Sequence, residues 1–272
     1  PLPDGSSTPI ERKPLNHSAE TLGVWNNPLN DPKAGLQELK KKGLDWVDCL
    51  CVRPLERKET WLSLTSQQYP KWSYGLSSLY AKPAALDKCI GSIYFHALPF
   101  LGFNRNIPTD LRTLPSEYQG INLCLWSIEK LAKDLSLLLR HWQSTSTLGQ
   151  AFQLVYESFQ MELGLDGNIF SRPFSKYQRL ATHSWFRVLW HYCSSYSVTI
   201  HMNPRFHITA IRRGDVSIIE LFVRAGYSGE MLEILNRVRK FYRVHSLSDV
   251  LCADGCTVDR SRVLSRRIGH ST

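Results

Sequence analysis

Apolar residues recur at helical spacing through most of this chain. From residue 33 to residue 51, Leu36, Leu39, Trp46 and Leu50 lie on one face of a helix. The same period is present at 56–67, 83–101, 126–142, 147–163, 175–196, 215–225 and 229–242. Strands are suggested only at Thr21–Trp25 and in two short stretches, 198–202 and 206–212. The sequence therefore predicts a mainly α fold with a small N-terminal β element.

The segment that leads into the first helix combines three signals. Thr21-Leu22-Gly23-Val24-Trp25 predicts a short strand, in which the glycine lets another backbone approach closely. Residues 26–32 are dense in turn formers, and Pro32-Lys33 is typical of a helix start. The helix behind it carries Lys40, Lys41 and Lys42. A strand, a turn and a basic helix in this order suit the binding of a polyanion.

The net charge of the chain is +9, and the excess is uneven along it. Residues 236–272 contain eight Lys or Arg against three Asp, whereas residues 1–60 balance. Such an excess suits phosphate groups, because Lys and Arg contacts to phosphates give affinity without sequence choice. A solvated basic surface explains the charge equally well. The candidate phosphate contacts outside the first helix are Arg105, Arg112, Arg237, Arg239 and Lys240.

No catalytic constellation is present in the sequence. It has no glycine-rich phosphate loop, no nucleophile elbow and no adjacent pair of aspartates for two-metal chemistry. Cys252 and Cys256 with His245 and His270 lack the second close pair of a zinc site, so no metal site is assigned. No apolar run approaches the roughly 20 residues of a membrane helix, and we expect no membrane partner. Independent enzymatic activity is the least expected interpretation.

Three further motifs follow the strand and the basic helix in a fixed order. They are Tyr69-Pro70-Lys71-Trp72-Ser73-Tyr74-Gly75, then Leu101-Gly102-Phe103-Asn104-Arg105-Asn106-Ile107-Pro108, then Gly120-Ile121-Asn122-Leu123. In this order the pieces resemble the region behind the catalytic palm of retroelement reverse transcriptases, most closely the non-LTR (LINE-type) group. The resemblance covers about residues 18–165.

The resemblance implies a helical, thumb-like bundle with a primer-grip strand. Leu22, Gly23 and Val24 would then position the primer end, while Lys40, Lys41, Lys42 and Arg105 would contact phosphates. The implied partners are an RNA template and a DNA primer, or an RNA–DNA hybrid, together with the fingers and palm upstream in the same polypeptide. The family's Tyr-x-Asp-Asp box is missing from this chain. The Mg²⁺ cofactor would therefore belong to the palm of a parent RNA-directed DNA polymerase, and this fragment alone would hold no cofactor and not be catalytic.

The predicted organisation has three parts. Residues 1–20 form an irregular lead-in, 21–165 the primer-grip strand and thumb-like domain, and 166–272 a helical extension with a basic C-terminal segment. The chain begins Pro1-Leu2-Pro3 without an initiator Met, so we expect a piece of a longer protein, intracellular and with the nucleus as one candidate compartment. Two alternatives stay open: a helical protein- or RNA-interaction module without catalytic activity, and a degenerate retroelement remnant.

Overall fold

The structure of this protein is a computed structural model that describes residues 12–209 and 214–265. The described residues are mainly helical, with one two-stranded antiparallel sheet near the N-terminus, which confirms the predicted fold class. The chain divides into two compact units between Lys130 and Leu131. The boundary that the sequence suggested, after residue 165, falls inside the second unit.

The first unit begins with a β-hairpin and continues as helices. Its elements are β1 (Ala19–Thr21), β2 (Val24–Asn26), α1 (Lys33–Val52), α2 (Arg57–Ser63), α3 (Tyr69–Ser73), α4 (Pro83–Ala97) and α5 (Thr109–Thr113), and α6 (Trp126–His141) starts in it. Helix α1 packs on α4 so closely that a Cβ at Gly43 would lie 2.3 Å from Cδ1 of Ile93. The apolar core of this unit includes Leu39, Trp46, Trp72 and Trp126, all less than 9% exposed.

The second unit contains the remaining helices. They are α7 (Thr147–Leu163), α8 (Phe174–Tyr177), α9 (Trp185–Ser195), α10 (Ile218–Arg224), α11 (Gly229–Phe241) and α12 (Arg260–Ser265). Aromatic side chains form much of its core, where Phe186 makes edge-to-face contact with Tyr156 at 5.3 Å between ring centroids. Trp190 packs in the same way on Phe174, at 5.2 Å. Such pairs add to the stabilisation from the buried area itself.

The helix expected over 56–67 does not end before Tyr69-Pro70, although the residue before a proline usually leaves the α region. Helix α2 continues through a π-helical turn, Leu64–Gln68, directly into α3. The amide of Tyr69 donates to the carbonyl of Leu64, five residues earlier. Pro70 then occupies the first turn of α3, where its missing N–H costs little. The wider turn before Pro70 therefore accommodates the proline, and the helix does not have to end there.

The single helix expected over 175–196 is also wrong. The structure has two helices there, α8 and α9, separated by residues 178–184. Ser184 begins α9 by accepting a hydrogen bond from the amide of Arg187 at 3.3 Å. Of the two stretches expected to be β-like, 198–202 and 206–209 form no strand, and 210–212 lie outside the described residues. Within the described part of the chain, no helix is long and apolar enough to span a bilayer.

Candidate nucleic-acid interface

The N-terminal hairpin ends in a tight two-residue turn. Thr21 pairs with Val24, so Leu22 and Gly23 form the turn rather than part of the single strand that the sequence suggested. Their φ angles are +51° and +79°, as a type I′ turn requires. The left-handed conformation costs a leucine roughly 1–2 kcal/mol, yet Leu22 is 84% exposed at the hairpin tip. Strained backbone positions cluster at ligand-binding sites, so the turn at Leu22 is a candidate contact position.

Two glycines allow the hairpin, α1 and the turn after α3 to meet. A Cβ at Gly35, in the first turns of α1, would lie 2.7 Å from Cδ1 of Leu79 and 3.6 Å from the carbonyl oxygen of Trp25. A Cβ at Gly75 would lie 3.1 Å from Cγ2 of Val24. Larger residues would therefore push these three elements apart, and the glycines set the position of the hairpin on the unit.

A small cavity of about 60 Å³ lies where these elements meet. Its lining comprises Gly23, Val24, Trp25, Gly35, Glu38, Leu39, Lys42, Lys71, Trp72, Tyr74, Gly75, Leu76 and Leu79. Lys42 and Lys71 also line a wider groove of about 770 Å³ that follows the C-terminal half of α1 and the π-helical turn. The two lysines therefore stand between the cavity and the groove. Lys42 forms an ion pair with Glu38 at 3.6 Å, whereas Lys71 is exposed and has no ion pair within the described part of the chain.

The three consecutive lysines of α1 do not form one stripe. Successive residues of a helix point about 100° apart, so only Lys42 lines the cavity. Lys40 lies toward α4, close enough to influence Cys89 of that helix. Burial raises the pKa of Cys89 to about 11, and the positive charge of Lys40 opposes part of that rise. Lys41 is exposed between them. Of this predicted set, the structure thus brings together Gly23, Val24 and Lys42.

Arg105 lies in the loop between α4 and α5 and Arg112 lies in α5, and neither lines the cavity. Arg112 shapes this loop, since its guanidinium donates to the carbonyls of Ile107 at 3.0 Å and Arg105 at 3.1 Å. The Arg105 side chain is exposed, with its guanidinium 5.8 Å from the centre of the Phe95 ring. Arg57, which sequence reasoning did not single out, reaches the same loop, 5.0 Å from the centre of the Phe103 ring.

The predicted basic stripe of the second unit is disrupted by burial. Arg239 is only 3% exposed, and burial lowers its pKa to about 10. Its guanidinium donates to the carbonyls of Met161 and Glu162, at 2.8 and 3.0 Å, so it is not positioned to bind a phosphate. Arg237 and Lys240 are exposed, but each lies 3.9 Å from a carboxylate, of Glu233 and Glu162 respectively.

Sequence reasoning assigned no role to the two cavity residues with the most accessible functional groups, Lys71 and Tyr74. The signal was present in the aromatic motif from Tyr69 to Gly75, which was noted only for its order in the chain. Among residues 12–209 and 214–265, no group of three or more His, Cys, Asp or Glu side chains is placed to hold a metal ion. No family model, curated protein or solved structure matches this chain.

Proposed function

We propose that this chain is the thumb and downstream connection of a retroelement RNA-directed DNA polymerase, and that its first unit grips the template–primer duplex. The order of the sequence motifs supports the family. The observation that carries the binding role is the cavity that joins the hairpin residues Gly23 and Val24 to Lys42 and Lys71. Catalysis and its Mg²⁺ would reside in a palm elsewhere in the parent protein.

The charges of the cavity lining, two lysines against one glutamate, support binding to phosphates. The ion pair of Glu38 with Lys42 leaves Lys71 to carry net positive charge. The groove beside it adds Arg53 but also Asp45 and Asp48, so the favourable charge is confined to the cavity. Lysine ammonium groups contact phosphates with little sequence preference, as a polymerase grip requires. Leu22 projects from the hairpin tip, where it would contact the sugar or base edge of the held strand.

The test is the affinity of the purified chain for a labelled RNA–DNA hybrid, measured by fluorescence anisotropy over a range of salt concentrations. We expect the logarithm of the affinity to fall linearly with the logarithm of salt concentration. The double variant Lys42→Gln/Lys71→Gln should weaken binding and reduce that slope by about one for each phosphate that is no longer neutralised. The matched control is Lys58→Gln/Lys82→Gln, which neutralises two exposed lysines of the same unit outside the cavity.

A hairpin variant tests the role of Leu22. Leu22→Asn suits a type I′ turn better than leucine does, so the hairpin should stay folded while the apolar tip is removed. Weaker hybrid binding with unchanged circular dichroism is the expected result. A chain that binds hybrid no better than it binds an uncharged polymer would overturn the proposed function.

A second candidate function rests on helix α11 of the second unit. Met231, Ile234, Val238 and Phe241 follow one another at helical spacing and are 37–51% exposed. Exposed apolar stripes of this kind are typical of helices that dock on a protein partner. Salt separates the two functions, because phosphate binding weakens steeply with ionic strength and apolar docking does not.

A further inference from the structure

We propose that the cavity under the hairpin holds one unpaired nucleotide, with its phosphate or sugar inside the cavity and its base stacked on Tyr74. This inference rests on the proposed function and specifies which part of the nucleic acid the site takes. It predicts that the first unit favours a hybrid with an unpaired extension over a blunt one.

The cavity lining carries net positive charge. Lys42 and Lys71 bring ammonium groups, which only donate hydrogen bonds. Glu38 is the one carboxylate of the lining, and it is already paired with Lys42 at 3.6 Å. A ligand that carries several acceptor oxygens and negative charge would complement the two ammonium groups, and a phosphodiester has both properties.

The size of the cavity decides which part of a nucleotide can enter it. Its volume of about 60 Å³ is less than half of the roughly 150 Å³ of an engineered protein cavity that takes up benzene. That space accommodates phosphate oxygens or a sugar hydroxyl, but it is too small for a purine or pyrimidine. The base of the bound nucleotide must therefore lie outside the cavity.

Tyr74 offers a surface for that base at the cavity mouth. Its side chain is 67% exposed, and it makes no hydrogen bond or ring contact of its own within the described part of the chain. The adjacent Gly75 packs on Val24 of the hairpin, which fixes the backbone of Tyr74 beside the cavity. Exposed aromatic rings next to basic groups bind single-stranded nucleic acid, because unpaired bases have a free face on which to stack.

The experiment compares three labelled RNA–DNA hybrids by anisotropy with the full chain: blunt, with a short unpaired extension, and with the same extension lacking its bases. We expect the extended hybrid to bind about tenfold more tightly than the blunt one, as is typical of base–aromatic stacking. The abasic extension and the Tyr74→Ala variant should each lose this advantage, whereas Tyr74→Phe should keep it. Tyr118→Ala is the matched control, since Tyr118 is also 67% exposed in the same unit.

The outcomes separate the inference from the proposed function. Hybrid binding that is equal for blunt and extended forms, or unchanged by Tyr74→Ala, would overturn the inference and leave the grip intact. An equal loss in Tyr74→Ala and Tyr118→Ala would also overturn it, because the effect would then be general to exposed tyrosines. Absence of any salt-dependent hybrid binding by the unmodified chain would remove both proposals together.

Discussion

Arg239 is expected to stabilise the second unit rather than to bind a ligand, and Arg239→Met tests this. Its guanidinium connects α11 to the end of α7 by donating to the carbonyls of Met161 and Glu162. It also donates to Oδ1 of Asn236 and lies 2.7 Å from Nδ1 of His245. Methionine keeps an apolar stem of similar length but supplies none of these donors.

The expected loss of stability follows from the oxygens left behind. The carbonyl of Met161 and Oδ1 of Asn236 lose their guanidinium donors, whereas the carbonyl of Glu162 keeps the donation from Nδ2 of Asn236. Each buried acceptor left unsatisfied costs about 1–3 kcal/mol. The lowered pKa of Arg239 indicates that burial of its guanidinium is itself unfavourable. Removal of the guanidinium therefore offsets part of this cost. We expect a net loss of about 3 kcal/mol, within the range for broken buried charge networks.

Urea denaturation of the full chain, followed by circular dichroism, measures this loss. The control is Arg237→Met on the same helix, where the guanidinium is exposed and its ion pair with Glu233 is worth little. We expect the free energy of unfolding of Arg237→Met to lie within about 0.5 kcal/mol of that of the unmodified protein. In a thermal melt, Arg239→Met should lower the melting temperature by roughly 6–12 °C. If the two variants unfold alike, the buried guanidinium is not a structural connector and the reasoning is refuted.

Two further predictions concern the packing of the helices and the response to alkaline pH. Gly43→Ala should destabilise the protein by about 1–3 kcal/mol, because the added methyl would lie 2.3 Å from a side chain of α4. Gly91→Ala, with nothing within 4 Å of its Cβ, should instead stabilise the protein by roughly 0.5–1 kcal/mol through helix propensity. Thermal melts measure both effects. Changes of the same sign in the two variants would contradict the packing of α1 on α4. Burial raises the pKa of Cys193 and of Tyr156 to about 12, from ordinary values of 9.0 and 10.0. The unfolded chain therefore releases these protons at a lower pH than the folded chain does, and stability should fall progressively between about pH 9 and pH 12. A urea midpoint that is constant across this range would count against burial of the two groups.

Local patterns in the sequence were sufficient for the fold class and for the position of most helices. Helix α1 was expected over 33–51 and is observed at Lys33–Val52, because its apolar period and its start at Pro32-Lys33 are both local. The β element was also located correctly, but its hairpin was not recognised. A Leu-Gly pair is a weaker signal for a type I′ turn than Asn-Gly, and the flanking residues favour a continuous strand.

Two of the errors arose from local features that the residue pattern does not reveal, and one from a contact with a distant part of the chain. A proline ordinarily ends a helix, yet Pro70 is tolerated because a π-helical turn precedes it. The aromatic period over 175–196 continued through a break that only the cap at Ser184 reveals. Arg239 belongs to a basic cluster in the sequence, and nothing nearby indicates that helix carbonyls more than seventy residues earlier would surround it.

The sequence by itself determined where most helices and the β element lie and that the chain carries excess positive charge, since these depend on residue type and short-range periodicity. Only the tertiary structure decided which charges are available to a ligand. A helix turns about 100° per residue, so neighbours such as Lys40 and Lys42 reach different surroundings once α4 and the hairpin pack against α1. The cavity that joins Gly23, Lys42 and Tyr74 exists because Gly35 and Gly75 let three elements approach closely. That approach depends on long-range packing, which no local pattern encodes.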